Sequence, residues 1–237
     1  MCQGIPSRTR QLHAGIVHST SEGKPAMTPT TSSRLHRISV WLVAAFFALS
    51  ASLASACGKE RWSVKTVTDK DAAQVQQAPT PGNINQLRQI AAPINPNLRP
   101  DSRYSPTELT TYEVTGYITL IKAEADQDYH IVLADDAGRT MIVESTHPDC
   151  ALTSRFKAEI TPVRAALDQA FKGPISKPIR TRKLVTVTGV GFFNHIHGQT
   201  GVAPNGIELH PILQVVLHDH KSIQDFKKAN RAKRAEQ

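Results

Sequence analysis

Two pairs of side chains in the C-terminal third carry the residue types that do chemistry: His195 with His197, and Glu208 with His210. The members of each pair are two apart, so in extended backbone each pair projects to one side, because strand side chains alternate between faces. Imidazole and carboxylate are ordinary ligands of zinc and other divalent metals. The metal reading therefore takes His195, His197, Glu208 and His210, with Asp126, Asp128 or His130 completing the set. The same stretch also reads as a polar binding surface formed by His195, His197, Gln199, Asn205, Glu208 and His210. The plainer reading is a structural one. A histidine near a turn often donates to a backbone carbonyl or sits on a solvated rim, and Asp126 with Asp128 reads as a solvated turn. No HExxH, CxxC or GxSxG run occurs, and no arginine and carboxylate arrangement matches the staphylococcal-type nucleases, so recognition is expected ahead of catalysis and no cofactor is required.

Two apolar runs must position these groups. Leu184 to Phe193 is β-branched and aromatic, as a buried strand requires, and Gly189 and Gly191 inside it predict a bend, a bulge or a close backbone approach. Ile207 to Leu217 alternates, with Ile207, Leu209, Leu213, Val215 and Leu217 on one face and Glu208, His210, Ile212, Gln214 and Val216 on the other. Pro211 cannot donate to a ladder, so that strand is at an edge or bulged there. Between the runs, Ala203-Pro204-Asn205-Gly206 carries turn chemistry.

Upstream, Tyr112 to Ile121 alternates as a strand, and Tyr129 to Ala134 and Thr140 to Ser145 flank the turn sequence Asp135-Asp136-Ala137-Gly138-Arg139. Val163, Ala166, Leu167, Ala170 and Phe171 make one helical stripe, with Thr161 as cap and Pro162 at the first helical position or, alternatively, with preceding turns from Ser154 to Ile160, and with Gly173-Pro174 as the stop. The order is β-β-β-α-β-β over residues 112–217. It predicts an all-β domain with one helix, a small five-stranded barrel of the OB-fold type.

Residues 57–111 read as an N-terminal arm and proline-rich lead-in. Cys57 to Thr68 is expected to lie extended against the domain with Trp62 as a packing anchor, and Asn83 caps a short helix to Ile90. Ile38 to Ala56, preceded by Arg34 and Arg37 and ending in Ala54-Ser55-Ala56, has the charged, apolar and small-residue regions of a secretory signal peptide. Met27 gives it a normal basic lead, so residues 27–56 form the signal peptide and residues 1–26 an extension ahead of the true start. Export to an oxidising compartment leaves Cys57 and Cys150, which most simply pair. The rival is a lipoprotein acylated at Cys57, after the lipobox-like Leu53-Ala54-Ser55-Ala56.

The chain carries 28 Lys and Arg against 20 Asp and Glu, but the excess belongs to the leader and to the basic tail, residues 218–237. The body between them groups no cations as a nucleic-acid binder would, and the tail alone offers contact with anionic lipid or nucleic acid.

The start CGKERWSVKT, the strand DYHIVLADDAG and the run VTGVGFF followed by HGQTGVAPNGIELHPIL resemble an uncharacterised family of exported bacterial proteins. That resemblance covers Cys57 to about Val216 and implies secretion and a shared fold, with no activity to carry over. The expectation is an exported, monomeric, disulfide-tied binding module for an oligosaccharide, a nucleic acid or an envelope protein. A metal-dependent hydrolase or nuclease using the histidine cluster, and a structural envelope protein, stand as alternatives.

Overall fold

Six segments of this chain are rich enough in β-branched and aromatic residues, or close enough to one that is, to pair as strands. They are β1 (Thr80–Gly82), β2 (Thr111–Ala123), β3 (Tyr129–Ala134), β4 (Thr140–Ser145), β5 (Ile179–Phe193) and β6 (Ile207–Leu217). Among the described residues, the helices α1 (Trp62–Lys65), α2 (Ile84–Leu87) and α3 (Lys157–Ala170) accompany them. The structure is a computed structural model that describes residues 57–219 and, in the tail, residues 224, 226, 228 and 231. The predicted extension and signal peptide, and most of the basic tail, lie outside the described residues. Among those described, no helix is long and apolar enough to cross a membrane.

The sheet order is β1-β2-β3-β4-β6-β5, and β2 also pairs with β5, so five strands form a ring of ladders. All five ladders are antiparallel except β4 with β6. Inside lies one apolar cluster that includes Val114, Ile118, Tyr129, Ile131, Leu133, Met141, Val143, Ile207 and Leu209. Helix α3 adds Val163 and Leu167 to it, and Ile160 joins a second cluster with Phe156, Val190 and Leu213.

Several boundaries differ from the sequence expectation, each for a local reason. Strand β5 begins at Ile179, because its basic first half pairs with β2 despite having little to bury. Strand β1 is Thr-Pro-Gly, which has no strand signature, and its pairing is a parallel match to Tyr112–Val114. Helix α3 starts at Lys157, with Ser154 Oγ accepting from the Phe156 amide, so Pro162 lies inside the helix. Thr161 does not cap; its hydroxyl donates back to the Lys157 carbonyl. The predicted short helix is present as α2, with the Asn83 side chain accepting from the Gln86 amide, but it ends at Leu87 and not at Ile90. The arm is not extended, since α1 gives it a helical turn.

Strand β6 does not keep one apolar face. Its register with β5 slips twice, between Thr188 and Gly189 and again between Gly189 and Gly191, and the two glycines pair with Ile212 and Leu209. Nearer Gly191, His210 and Pro211 stand opposite the single residue Val190, so the alternation reverses and Ile212 joins the core of Leu209; nearer Thr188 the extra residue is Leu213, which turns to the second cluster and returns Val215 to the core side. Pro211 is thus bulged. Gly191 is the close approach: a Cβ there would collide with the Thr107 carbonyl oxygen. Cys57 and Cys150 form the expected disulfide. That bond and a thioether at the Cys57 sulfur, which the acylated alternative requires, exclude one another.

Candidate functional site: a polar cleft over a buried ionic cluster

The alternation that sends Tyr129, Ile131, Leu133, Met141, Val143, Ile207 and Leu209 inward must send their neighbours outward. His130, Glu144, Glu208 and His210 therefore share the outer face of β3, β4 and β6. The ladders bring them close, since His130 pairs opposite Glu144, and Glu208 beside Ile142. An outer face of this kind is normally wet, yet here it is roofed. The arm crosses it, tied down at one end by the disulfide, and the connection between β5 and β6 covers the rest. Gly201, with φ of 84°, lies so close to Val132 of β3 that any Cβ there would overlap the valine methyls.

Under the roof the charges are paired. His210 Nδ1 is 3.0 Å from the Lys65 carbonyl oxygen. Its Nε2 is 3.1 Å from Asp128 Oδ2 and 3.0 Å from Glu144 Oε2. A carbonyl oxygen only accepts, so Nδ1 carries a hydrogen, and with two carboxylates at Nε2 the ring is an imidazolium. Burial opposes that charge, but the hydrogen bonds to Asp128 and Glu144 overcome it and lift the His210 pKa to about 9. His130 follows the same logic: its Nε2 donates to the Thr200 carbonyl at 2.9 Å and its Nδ1 to Glu144 Oε1 at 3.2 Å. Against the cost of burial, these bonds raise its pKa.

The carboxylates respond in opposite directions. Burial pushes Glu144 up, but the two imidazoles and the Lys65 ammonium, 3.8 Å away, hold it well below the usual range. Asp128 is raised because burial outweighs its single contact with His210. Burial, and then repulsion from Glu144, push Glu208 up to about 7; its own partner is the Asn194 amide, at 3.2 and 3.3 Å.

A second buried pair anchors the arm. Arg61 donates to both oxygens of Glu108, at 2.7 and 2.8 Å, while Glu108 also accepts from the Phe193 and Tyr104 amides. Between the arm, the turn from β2 to β3 and the β5–β6 connection a cleft of about 350 Å³ remains open. Trp62, Lys65, His130, Glu144, Asn194, His197 and Gln199 are among its walls.

The predicted binding residues fall into four places. His197 and Gln199 line the cleft. Gln199 also holds the connection in shape, accepting from the His197 amide and donating to the His195 carbonyl. His195 is exposed, its ring 6.5 Å from that of His197. Asn205 is a clamp whose amide donates to the Leu87 and Ile90 carbonyls. Glu208 and His210 are fully buried.

The metal set of His195, His197, Glu208 and His210 is therefore not assembled, because its first two members stay on the exposed connection. Among the described residues, the group of three whose ligand atoms lie within 4.8 Å of one another is Asp128, Glu144 and His210. Asp128 is not the solvated residue expected, having no exposure at all. Sequence reasoning does not single out Glu144. Hairpin register could have found it, since the turn at Asp135 to Arg139 sets His130 opposite Glu144.

No family model matches the chain, and no curated protein matches it. A solved structure of an OBody, AM3L09, bound to hen egg-white lysozyme is similar over 48% of this chain and 85% of that one, at 11% identity and a TM-score of 0.31.

Proposed function

We propose that this chain is an exported binding module built on an OB-type barrel, and that it takes a segment of an oligosaccharide in the cleft between the arm and the β5–β6 connection. The ring of five ladders, with α3 between its third and fourth strands, supports the OB reading. Such barrels bind ligands across their second and third strands and the loops after the first and fourth. In this chain those are β3, β4, the turn at 124–128 and the connection at 194–206, which is where the cleft opens. The disulfide supports an oxidising destination.

Charge selects among the polymers such a barrel could take. Lys59, Lys65 and His130 in the walls are matched by Glu60, Glu124, Asp126 and Glu144, so a polyphosphate would meet as much repulsion as attraction. A sugar instead presents hydroxyls that both donate and accept, and C–H faces that stack on an indole. The cleft supplies carboxylates, amides and Trp62. The observation that carries the reading is Asn194. It is 8% exposed and lines the cleft, its nitrogen is used by Glu208, and its Oδ1 has no partner. A buried acceptor left unmade costs about 1–3 kcal/mol, which a ligand hydroxyl would recover.

The test is calorimetric titration with bacterial-envelope oligosaccharides and, in parallel, with a single-stranded oligonucleotide. Saccharide binding that weakens at least tenfold in Trp62→Ala and Asn194→Ala supports the proposal. Oligonucleotide binding without saccharide binding, or saccharide binding indifferent to both substitutions, overturns it.

A further inference from the structure

We propose that Asp128, Glu144 and His210 form a binding site for one divalent transition-metal ion, set behind the cleft and independent of the ligand that the cleft takes. Asp128 ends the turn that leads into β3, while Glu144 lies in β4 and His210 in β6, so two strands and the residue next to a third hold them in place. Their donor atoms converge within 4.8 Å. His210 Nε2 lies 3.1 and 3.0 Å from one oxygen of each carboxylate. Donors bound to one ion at roughly 2.0–2.2 Å stand roughly 3.0–3.4 Å apart, so two of the three separations already suit a shared cation.

The supporting contacts are those a ligand set needs. The remaining ring nitrogen of His210 donates to the Lys65 carbonyl, which fixes the tautomer that leaves Nε2 for a metal. Asp128 Oδ1 accepts from the His147 amide at 2.9 Å, and Glu144 Oε1 is held by His130, so each carboxylate is oriented through one oxygen while the other faces His210. An ion entering here takes the position of the Nε2 proton, which leaves as it binds, and the charge of the triad rises by only one. Glu144 also lines the cleft, which gives the site its route to solvent. One imidazole and two carboxylates suit Zn²⁺ or Mn²⁺ better than Ca²⁺ or Mg²⁺, which favour oxygen ligands throughout.

The experiment strips the full, tag-free chain with a chelator, loads it with Zn²⁺ or Mn²⁺, removes excess and measures metal per chain, with the shift in thermal midpoint as a further readout. The expected result is one ion per chain and a raised midpoint, both lost in Asp128→Asn and His210→Gln, and both kept in the double variant His195→Ala/His197→Ala. Circular dichroism checks that the variants fold. Wild-type chain that retains no metal overturns the proposal without reference to any variant. So does binding that survives Asp128→Asn and His210→Gln, or that disappears with His195 and His197.

Discussion

Two pairs of histidines make an instructive contrast. His195 and His197 stand two apart on an exposed connection, their rings beside each other and their backbones tied by Gln199. His130 and His210 are 80 positions apart in sequence, yet both are buried, both bridge a carbonyl and a carboxylate, and both meet at Glu144. In the sequence the adjacent pair has the spacing of a site, and the distant pair has no spacing that marks it. Proximity along the chain leaves the exposed pair in solvent, whereas proximity through the ladders puts the buried pair against shared carboxylates out of water, where hydrogen bonds and charge raise both pKa values. The difference sets the size of each effect that follows.

The largest belongs to the roof over the buried pair. The Cys57–Cys150 disulfide closes a separation of 93 residues and pins the arm whose Lys65 carbonyl holds His210. By the loop-entropy relation its removal costs about 4–5 kcal/mol. Urea unfolding of Cys57→Ser/Cys150→Ser should show that loss, and a loss below about 1 kcal/mol would mean that the ionic contacts hold the arm unaided.

Next comes the buried pair itself. His210→Ala leaves Asp128 and Glu144 facing each other without the ring between them, and stranding buried charges in this way costs about 3–5 kcal/mol. The same denaturation measurement on His210→Ala checks it. A near-neutral result would show that water enters and solvates both carboxylates.

These burdens explain which parts of the molecule the sequence disclosed. Strands β3, β4 and β6 were legible to the residue because their apolar alternation is interrupted by turn chemistry at 135–139 and by Gly206. The bulge was legible too, since Pro211 and the paired glycines are local signals. The basic start of β5 and the Thr-Pro-Gly of β1 were not, because each becomes a strand only through its partner in β2. The ionic cluster lies further from view. Asp128 meets His210 across 82 positions and Arg61 meets Glu108 across 47, and no local pattern encodes either. Parity along β6 did place Glu208 and His210 on one face; what covers that face was decided by the arm.

A pH series on metal-free protein separates the members of the cluster. His210 is lifted from 6.5 to about 9, so its contribution is complete below 6.5 and is lost as pH rises through 9; that difference corresponds to about 3 kcal/mol. Glu208 is raised from 4.5 to about 7, so the unfolded chain ionises first and stability falls between those values, again by about 3 kcal/mol. Glu144 runs the other way: held below 4.5, it stabilises above that value and the gain is lost in acid. Lys65, His130, Asp128 and Asn194 face these groups and couple them, so the losses overlap. The thermal midpoint should therefore be highest near about pH 5 and decline toward about pH 9. Glu208→Gln should flatten the lower part of that decline, up to about pH 7, and leave the part above it. A midpoint that rises between about pH 5 and 8 would contradict both assignments.

The smallest effects belong to the exposed pair, and they sharpen the contrast most. Neither His195 nor His197 bridges buried groups, and solvent already serves both rings, so alanine at either position should change stability by no more than about 0.5 kcal/mol. Ligand binding should nevertheless tell them apart, because His197 lines the cleft and His195 does not. His197→Ala removes one donor or acceptor from the wall and should weaken saccharide binding about tenfold, the worth of one hydrogen bond at a desolvated contact. His195→Ala should leave affinity unchanged, since its backbone carbonyl, which Gln199 uses, survives the substitution. Equal losses at both positions would show that the two rings act together as one platform, and the line drawn here between wall and rim would then have to be moved.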